Sequence, residues 1–311
     1  MAHTRLVGRL LTWVIVLGLV VAVVLGVYVW RGHSKPGIPG PSPQATTTPS
    51  TPLPTVTKLL VFVVENHSLE QMQAKMPYAR SLATTYGYAN AYFGITHPSL
   101  PNYLVMAGGQ TFGVDDDREP RSHQLPGPSV FGAALRAGKT ARVYAEDMDS
   151  NCKRRNEGKY VARHNPWTYF EDESSACKDD DVPLSHLDDD VKDGQLPAVG
   201  MVVPDLCNDA HNCGLDKADD WLKRRVGDVL DGPDWQSRHL AVVITADEDD
   251  THHDNRILTV VAHPSLHGVV VSTRLDHFSL SHSYADVAGV PPLAQAAAAP
   301  PLLEAFGLAA G

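Results

Sequence analysis

Acidic and amide side chains recur in this chain directly after short aliphatic runs. Glu65 and Asn66 follow Leu59 to Val64, Glu146 and Asp147 follow the run that begins at Ala141, and Asp205 follows Val199 to Val203. Asp247, Glu248, Asp249 and Asp250 follow Leu240 to Ile244. One such carboxylate is an ordinary solvated loop start. Several at one edge repel each other unless a cation lies between them. The oxygen-rich set Glu65, Asn66, Asp247 and Glu248 suits a hard divalent ion, calcium, magnesium or manganese, better than zinc, which favours nitrogen and sulfur. His252 and His253 lie on a polar loop and read as solvent-facing.

The second chemical candidate is a hydroxyl. Ser99 precedes the apolar run Leu100 to Ala107, in which Pro101 is tolerated in a first helical turn. In one reading Ser99 caps that helix. In the other it is a nucleophile, because the positive end of the helix and its free N–H groups favour both an alkoxide and a bound phosphate. A neighbouring metal ion strengthens the effect. Asn102, one turn later, is placed to donate to a phosphoryl oxygen.

These side chains need a scaffold that gathers them. Continuous aliphatic runs of this length read as strands buried on both faces, the habit of parallel sheets. Between them, Asp216 to Leu230 carries Ala218, Trp221, Leu222, Val226, Val229 and Leu230 at helical spacing. Pro98 to Ala107 and Ser129 to Arg136 read as further helices, each followed by a glycine suited to a helix C-terminus. Strands alternating with helices give an α/β fold with a mostly parallel sheet, in which ligands gather at the carboxyl ends of the strands.

The 311 residues, 43% hydrophobic and 20% charged, suffice for one large core or two small ones and exclude a mostly disordered chain. A net charge of −10, from 26 Lys+Arg against 36 Asp+Glu, argues against nucleic-acid binding. Leu10 to Trp30 is 21 residues without a charge, preceded by Arg5 and Arg9. That length spans a bilayer core, and the segment lacks a convincing cleavage site. It reads as a single-pass transmembrane helix with residues 1–9 in the cytoplasm and the rest extracytoplasmic. Residues 31–57 hold seven prolines and six threonines and read as an extended stalk, leaving 58–311 as the soluble domain. Cys152, Cys177, Cys207 and Cys213 lack zinc-ribbon spacing, so an oxidising compartment allows two bridges. The runs Asp179 to Asp181 and Asp188 to Asp190 read as solvated loops.

In order along the chain, Glu65-Asn66-His67-Ser68, Thr96-His97-Pro98-Ser99-Leu100-Pro101-Asn102-Tyr103, Val203-Pro204-Asp205-Leu206-Cys207-Asn208-Asp209-Ala210-His211 and Thr245-Ala246-Asp247-Glu248-Asp249-Asp250 resemble the bacterial phosphoesterase family. That family holds acid phosphatases and phospholipases C within the alkaline phosphatase superfamily, and the similarity runs from about Lys58 to Leu308. The resemblance implies an alkaline phosphatase-like fold, Ser99 as nucleophile, and Glu65, Asn66, Ser99, Asp247 and Glu248 around the metal. It makes His277, in Asp276-His277-Phe278-Ser279, the candidate acid for the leaving alcohol, and places His211 to hold a phosphoryl oxygen. Tyr144-Ala145-Glu146-Asp147-Met148 and Arg163-His164-Asn165-Pro166 are similar to the acid phosphatase branch. Phospholipase members commonly read Asp-Glu-His-Gly-Gly where this chain reads Asp247-Glu248-Asp249-Asp250, which argues against that branch. Of the three possible cysteine pairings, proximity in the chain favours Cys152 with Cys177 and Cys207 with Cys213.

The expected activity is thus that of a membrane-tethered, metal-dependent phosphatase acting on phosphate monoesters through a phosphoserine. A phospholipase C-type phosphodiesterase and a non-catalytic cell-surface binding protein are the competing readings. From the anchor we expect the full-length protein to retain its N-terminus and to require detergent for extraction. Secreted material whose mature N-terminus lies beyond Trp30 contradicts this.

Overall fold

The computed structural model describes residues 52–311. The expected cytoplasmic segment, the anchor over 10–30 and most of the stalk lie outside the described residues. Among the described residues, no helix is long and apolar enough to cross a membrane. The stalk, expected to run to Thr57, enters the fold earlier: β1 (Thr55–Val56) pairs in parallel with a strand at the C-terminus, β11 (Ala309–Ala310).

The other strands form one sheet. They are β2 (Lys58–Val64), β3 (Gly87–Phe93), β4 (Ala141–Ala145), β5 (Asp181–Pro183), β6 (Val199–Val203), β7 (Leu240–Ala246), β8 (Arg256–Ala262), β9 (Val269–Val271) and β10 (Leu275–Asp276). Their order is β10-β3-β8-β7-β2-β6-β4-β5, with β9 beside β3. All pairs are parallel except those of β8 with β3 and β7. The mostly parallel α/β sheet read from the aliphatic runs is therefore present. Every residue of β6 and β7 is buried, which is why these runs show no alternation.

Helices cover the sheet. Leu215–Asp231 buries Ala218, Trp221, Leu222, Val226 and Val229, close to the stripe expected from its spacing, and Trp221 meets Phe62 of β2 edge to face. It packs on helix Pro77–Thr85 and accepts from that helix's start, where Tyr78 N and Ala79 N donate to Asp219 Oδ2 and Oδ1 at 2.8 and 2.9 Å. A second group comprises helices Ser99–Gly108, Val130–Arg136 and His277–Ala288, the last of which also packs on β2 and β6. Ser129 caps Val130–Arg136 by accepting from Gly132 N.

Both expected disulfides are present. Cys152–Cys177 ties the loop after β4 to helix Ser174–Asp180, and Cys207–Cys213 closes the loop after β6. The acidic runs lie at helices rather than in loops, and though Asp179, Asp188 and Asp189 are exposed as expected, one carboxylate of each run is engaged by the fold. Asp181 is fully buried, and burial, opposed by the Asn165 amide, pushes its carboxyl up to about 8. Asp190 accepts from Arg142 and Tyr144, both at 2.6 Å, so this run pins β4 to helix Ser185–Asp193.

Asp219 supplies two orphan N–H groups of a neighbouring helix with an acceptor, and no nearer group replaces it. We expect Asp219→Ala to lower stability by about 1–2 kcal/mol in chemical unfolding while leaving turnover intact. Unchanged stability contradicts this account of how the two helices join.

Candidate active site

The register of β2 against β7 sets the site. Val64 lies opposite Ala246, so the next residues, Glu65 and Asp247, leave the sheet side by side. Asp247 N donates to Val64 O at 3.0 Å, and Asn66 N donates to Asp247 Oδ1 at 3.1 Å. Asn66 has φ 56°, in the left-handed region that asparagine tolerates, and this turns the chain off the end of β2. From the other flank the loop after β6 returns to β2, where Glu65 N donates to Asp209 O at 2.8 Å.

Ser99 opens its helix behind Pro98 and makes no cap hydrogen bond. Its hydroxyl, 3% exposed as a residue, donates instead to Glu65 Oε2 at 3.1 Å. One turn on, Tyr103 donates to Glu65 Oε1 at 2.5 Å and stacks on His164, ring centroids 5.2 Å apart. Gly109, at φ 67°, closes the helix in a conformation a side chain would strain.

Glu65, Asp209, Asp247 and Glu248 are all buried around this hydroxyl. Burial, reinforced by Asp247 and Asp209, holds the Glu65 carboxyl well above its usual range. Burial likewise pushes Asp247 and Asp209 up to about 7, and burial with Asp247 and Asp117 pushes Glu248 up to about 9. His164 is held neutral by burial, with Arg163 and His211 adding to the effect. Asp247 Oδ2, Asp209 Oδ2 and both ring nitrogens of His164 are buried without a hydrogen-bond partner. Donor atoms of Glu65, His164 and Asp209 lie within 4.8 Å of one another. In this cluster His164 Nε2 faces Glu65 Oε1 at 3.4 Å and Nδ1 faces Asp209 Oδ2 at 3.3 Å, and buried carboxylates with a neutral imidazole this close together are what a divalent cation requires. The donor set fits such an ion, and His164 adds a nitrogen to the all-oxygen set expected from sequence.

Two expected roles do not match where their side chains stand. His277 is fully buried, its Nε2 donating to the backbone oxygen of Asp247 at 2.5 Å and its Nδ1 lying 3.2 Å from Tyr92 OH. Burial pushes this imidazole down to about 4, and it faces no leaving group; it positions Asp247. Asn102 is also occupied: Oδ1 accepts from Ile95 N at 2.8 Å, while Nδ2 donates to Thr96 O at 2.8 Å and Glu248 Oε2 at 2.9 Å. It holds the loop ahead of Ser99 and orients Glu248 rather than reaching outward. Asn66 lies against Glu65, its Nδ2 3.3 Å from Oε2. His211 stands exposed at the rim, its Nε2 3.1 Å from Arg163 Nη2.

The acidic strand ends divide. Those of β2 and β7 build the cluster. Glu146 and Asp205 instead brace loops: Glu146 accepts from Asp205 N, Asn208 Nδ2 and Trp221 Nε1, and Asp205 accepts from Cys207 N and Asn208 N. Asp209, His164, Tyr103, His97 and Arg163 were not singled out as site residues by sequence reasoning, although each sits inside a quoted motif. His97 lies at the rim, 3.1 Å from Glu248 Oε1 and 3.2 Å from Asp249 Oδ1.

The sequence profile of the phosphoesterase family matches residues 58–283. The chain belongs to that family. It is accordingly a hydrolase of phosphate esters. A phosphatidylinositol-3-phosphatase of Mycobacterium tuberculosis is 29% identical over 262 residues, covering 82% of this chain and 84% of that protein. A phosphate-repressible acid phosphatase of Penicillium chrysogenum is 30% identical over 223 residues, covering 65% of this chain and 52% of the fungal protein. The chain thus spans about half the length of that fungal relative. Among solved structures, an alkaline phosphatase superfamily protein from Vibrio parahaemolyticus matches with a TM-score of 0.56 at 10% identity, over 77% of this chain and 68% of that one. The fold is alkaline phosphatase-like.

Carboxyls that titrate near 7 and 9 here titrate near about 4 when unfolded. Between those values the folded state holds protons that the unfolded state has released, so stability falls as pH rises through the window. We expect the protein stripped of divalent ions to lose thermal stability from about pH 5 to about pH 9, and added manganese to raise Tm most at the alkaline end. A metal-stripped Tm that rises across this range contradicts the clustering of ionisable carboxylates.

Proposed function

We propose that the protein is a metal-dependent phosphomonoesterase that works through a phosphoserine at Ser99, held at a membrane by its N-terminal segment with the catalytic domain extracytoplasmic. The observation that carries this reading is Ser99 Oγ donating to Glu65 Oε2 at 3.1 Å, at the start of a helix and within a ring of buried carboxylates. The matched relatives, by name a phosphatidylinositol-3-phosphatase and an acid phosphatase, support monoesters over diesters.

Glu65, Asp209, Asp247 and Glu248, with Asn66 and His164 beside them, would hold the cation. A divalent ion there supplies charge stabilisation to phosphoryl oxygens and lowers the pKa of a neighbouring hydroxyl. The chain's own groups do the rest. Glu65 Oε2, already accepting from Ser99 Oγ at 3.1 Å, is placed to receive the Ser99 proton as Oγ attacks phosphorus. Tyr103 fixes the other Glu65 oxygen, so that Oε2 keeps its aim at Ser99. Asn102 and His277 hold Glu248 and Asp247 in place. The Leu100 N–H at the helix start, which donates to Asp117 Oδ1 at 3.0 Å, would turn to the charge that builds on the phosphoryl group. With His277 enclosed, the departing oxygen is protonated from the open side, where His97 and His211 stand. A cleft of about 570 Å³ bordered by Thr96, His97, Asp249 and Asn255 receives the alcohol.

Ser99→Ala should lose on the order of 10³-fold or more in turnover of p-nitrophenyl phosphate, with phosphate binding retained, because no neighbouring group can carry the covalent intermediate. Near-normal kcat in a folded Ser99→Ala variant ends the reading.

A further inference from the structure

The segment between helices Ser99–Gly108 and Val130–Arg136 carries three successive carboxylates, Asp115, Asp116 and Asp117. Asp116 is tied down, its Oδ1 2.5 Å from His123 Nε2 and its Oδ2 2.5 Å from Arg118 Nε. The same turn is held from behind by Tyr169, whose hydroxyl donates to Arg118 O at 2.9 Å. This anchoring presents the next residue to the active site. Asp117 Oδ1 accepts from Leu100 N at 3.0 Å, the N–H that directly follows the nucleophile. Its other oxygen lies 3.7 Å from Arg163 Nε, too far for a hydrogen bond, and that Nε is buried without a partner. Arg163 is otherwise engaged at Nη2 by His211. Asp117 remains 37% exposed at its side chain.

A carboxylate at the first free N–H of a helix, loosely facing a guanidinium, occupies the place an anionic ligand would take. We propose that Asp117 is a resident placeholder for the substrate's phosphoryl group, which displaces it and takes over both Leu100 N–H and Arg163. The inference rests on the phosphomonoesterase reading and deepens it. A terminal phosphate carries up to two negative charges and three free oxygens, so it outcompetes one carboxylate for an N–H and a planar guanidinium. A diester, with one charge, has less advantage over Asp117. The placeholder therefore favours dianionic monoesters and keeps weaker anions out.

The test is the binding of inorganic phosphate to the full-length, metal-loaded protein, measured by calorimetry and so independent of turnover. A competing occupant lowers apparent affinity by the fraction of time it holds the site, so Asp117→Asn should tighten phosphate binding by about tenfold. Asp115→Asn removes the same charge from the same exposed turn and should change binding less than about twofold, which separates displacement from the relief of long-range repulsion. Arg163→Ala should weaken phosphate binding and reduce the gain from Asp117→Asn in the double variant. Asp117→Ala repeats the first measurement without an amide. Phosphate binding unchanged or weakened in both Asp117 variants overturns the inference, as does an equal gain in Asp115→Asn. Should the wild-type protein fail to hydrolyse monoesters while these binding shifts appear, the placeholder stands and the phosphomonoesterase reading falls. Hydrolysis with none of the shifts gives the reverse.

Discussion

Like charge confined at the end of two adjacent parallel strands is the constraint on which this structure turns. The pairing of Val64 with Ala246 forces Glu65 and Asp247 to emerge together, and the returning loop adds Asp209. Taken out of water, such carboxylates either hold protons or hold a cation. Everything nearby is arranged around that choice. Tyr103, Ser99, Asn66 N and Asn102 give hydrogen bonds to carboxylate oxygens, and His277 grips the backbone beside Asp247.

The same arrangement explains how a serine at a helix start becomes more than a cap. Pro98 leaves the helix without a side-chain cap, so the Ser99 hydroxyl is free to point across to Glu65. Its helix is buried along its whole length, which fixes the hydroxyl to the rigid body of the sheet rather than to a loop. At the rim Arg163 stands between Asp117 and His211, and His97 faces Glu248 and Asp249.

Much of this arrangement is legible in the sequence. Aliphatic runs ending in acid gave the strands, their parallel arrangement and the edge at which chemistry gathers, because a strand buried on both faces leaves no other pattern. Residue type at the strand ends groups Glu65, Asn66, Asp247 and Glu248, and the family resemblance adds Ser99 to them. Side-chain direction was not legible. His277 looks like an available imidazole in its motif, yet lies under the β7 end and faces a carbonyl. Asn102 has the chemistry of a phosphoryl donor, but its amide is consumed by its own loop. Asp209 lies within the short loop closed by Cys207–Cys213, and His164 is placed by stacking on Tyr103, a contact far apart in sequence. The antiparallel strand β8 also escaped notice, since nothing local distinguishes its direction.

The central claim is that these buried carboxylates form one cation site shared with the nucleophile. Titration of manganese into the full-length protein, followed by electron paramagnetic resonance at neutral pH, tests it most directly. Bound ion in the wild-type protein, with affinity lowered at least about tenfold by Asp247→Asn, is the expected result, because removing one charged ligand weakens a hard-ion site more than it disturbs the fold. No bound manganese at millimolar concentration, or an Asp247→Asn variant that binds as tightly as the wild type, contradicts it.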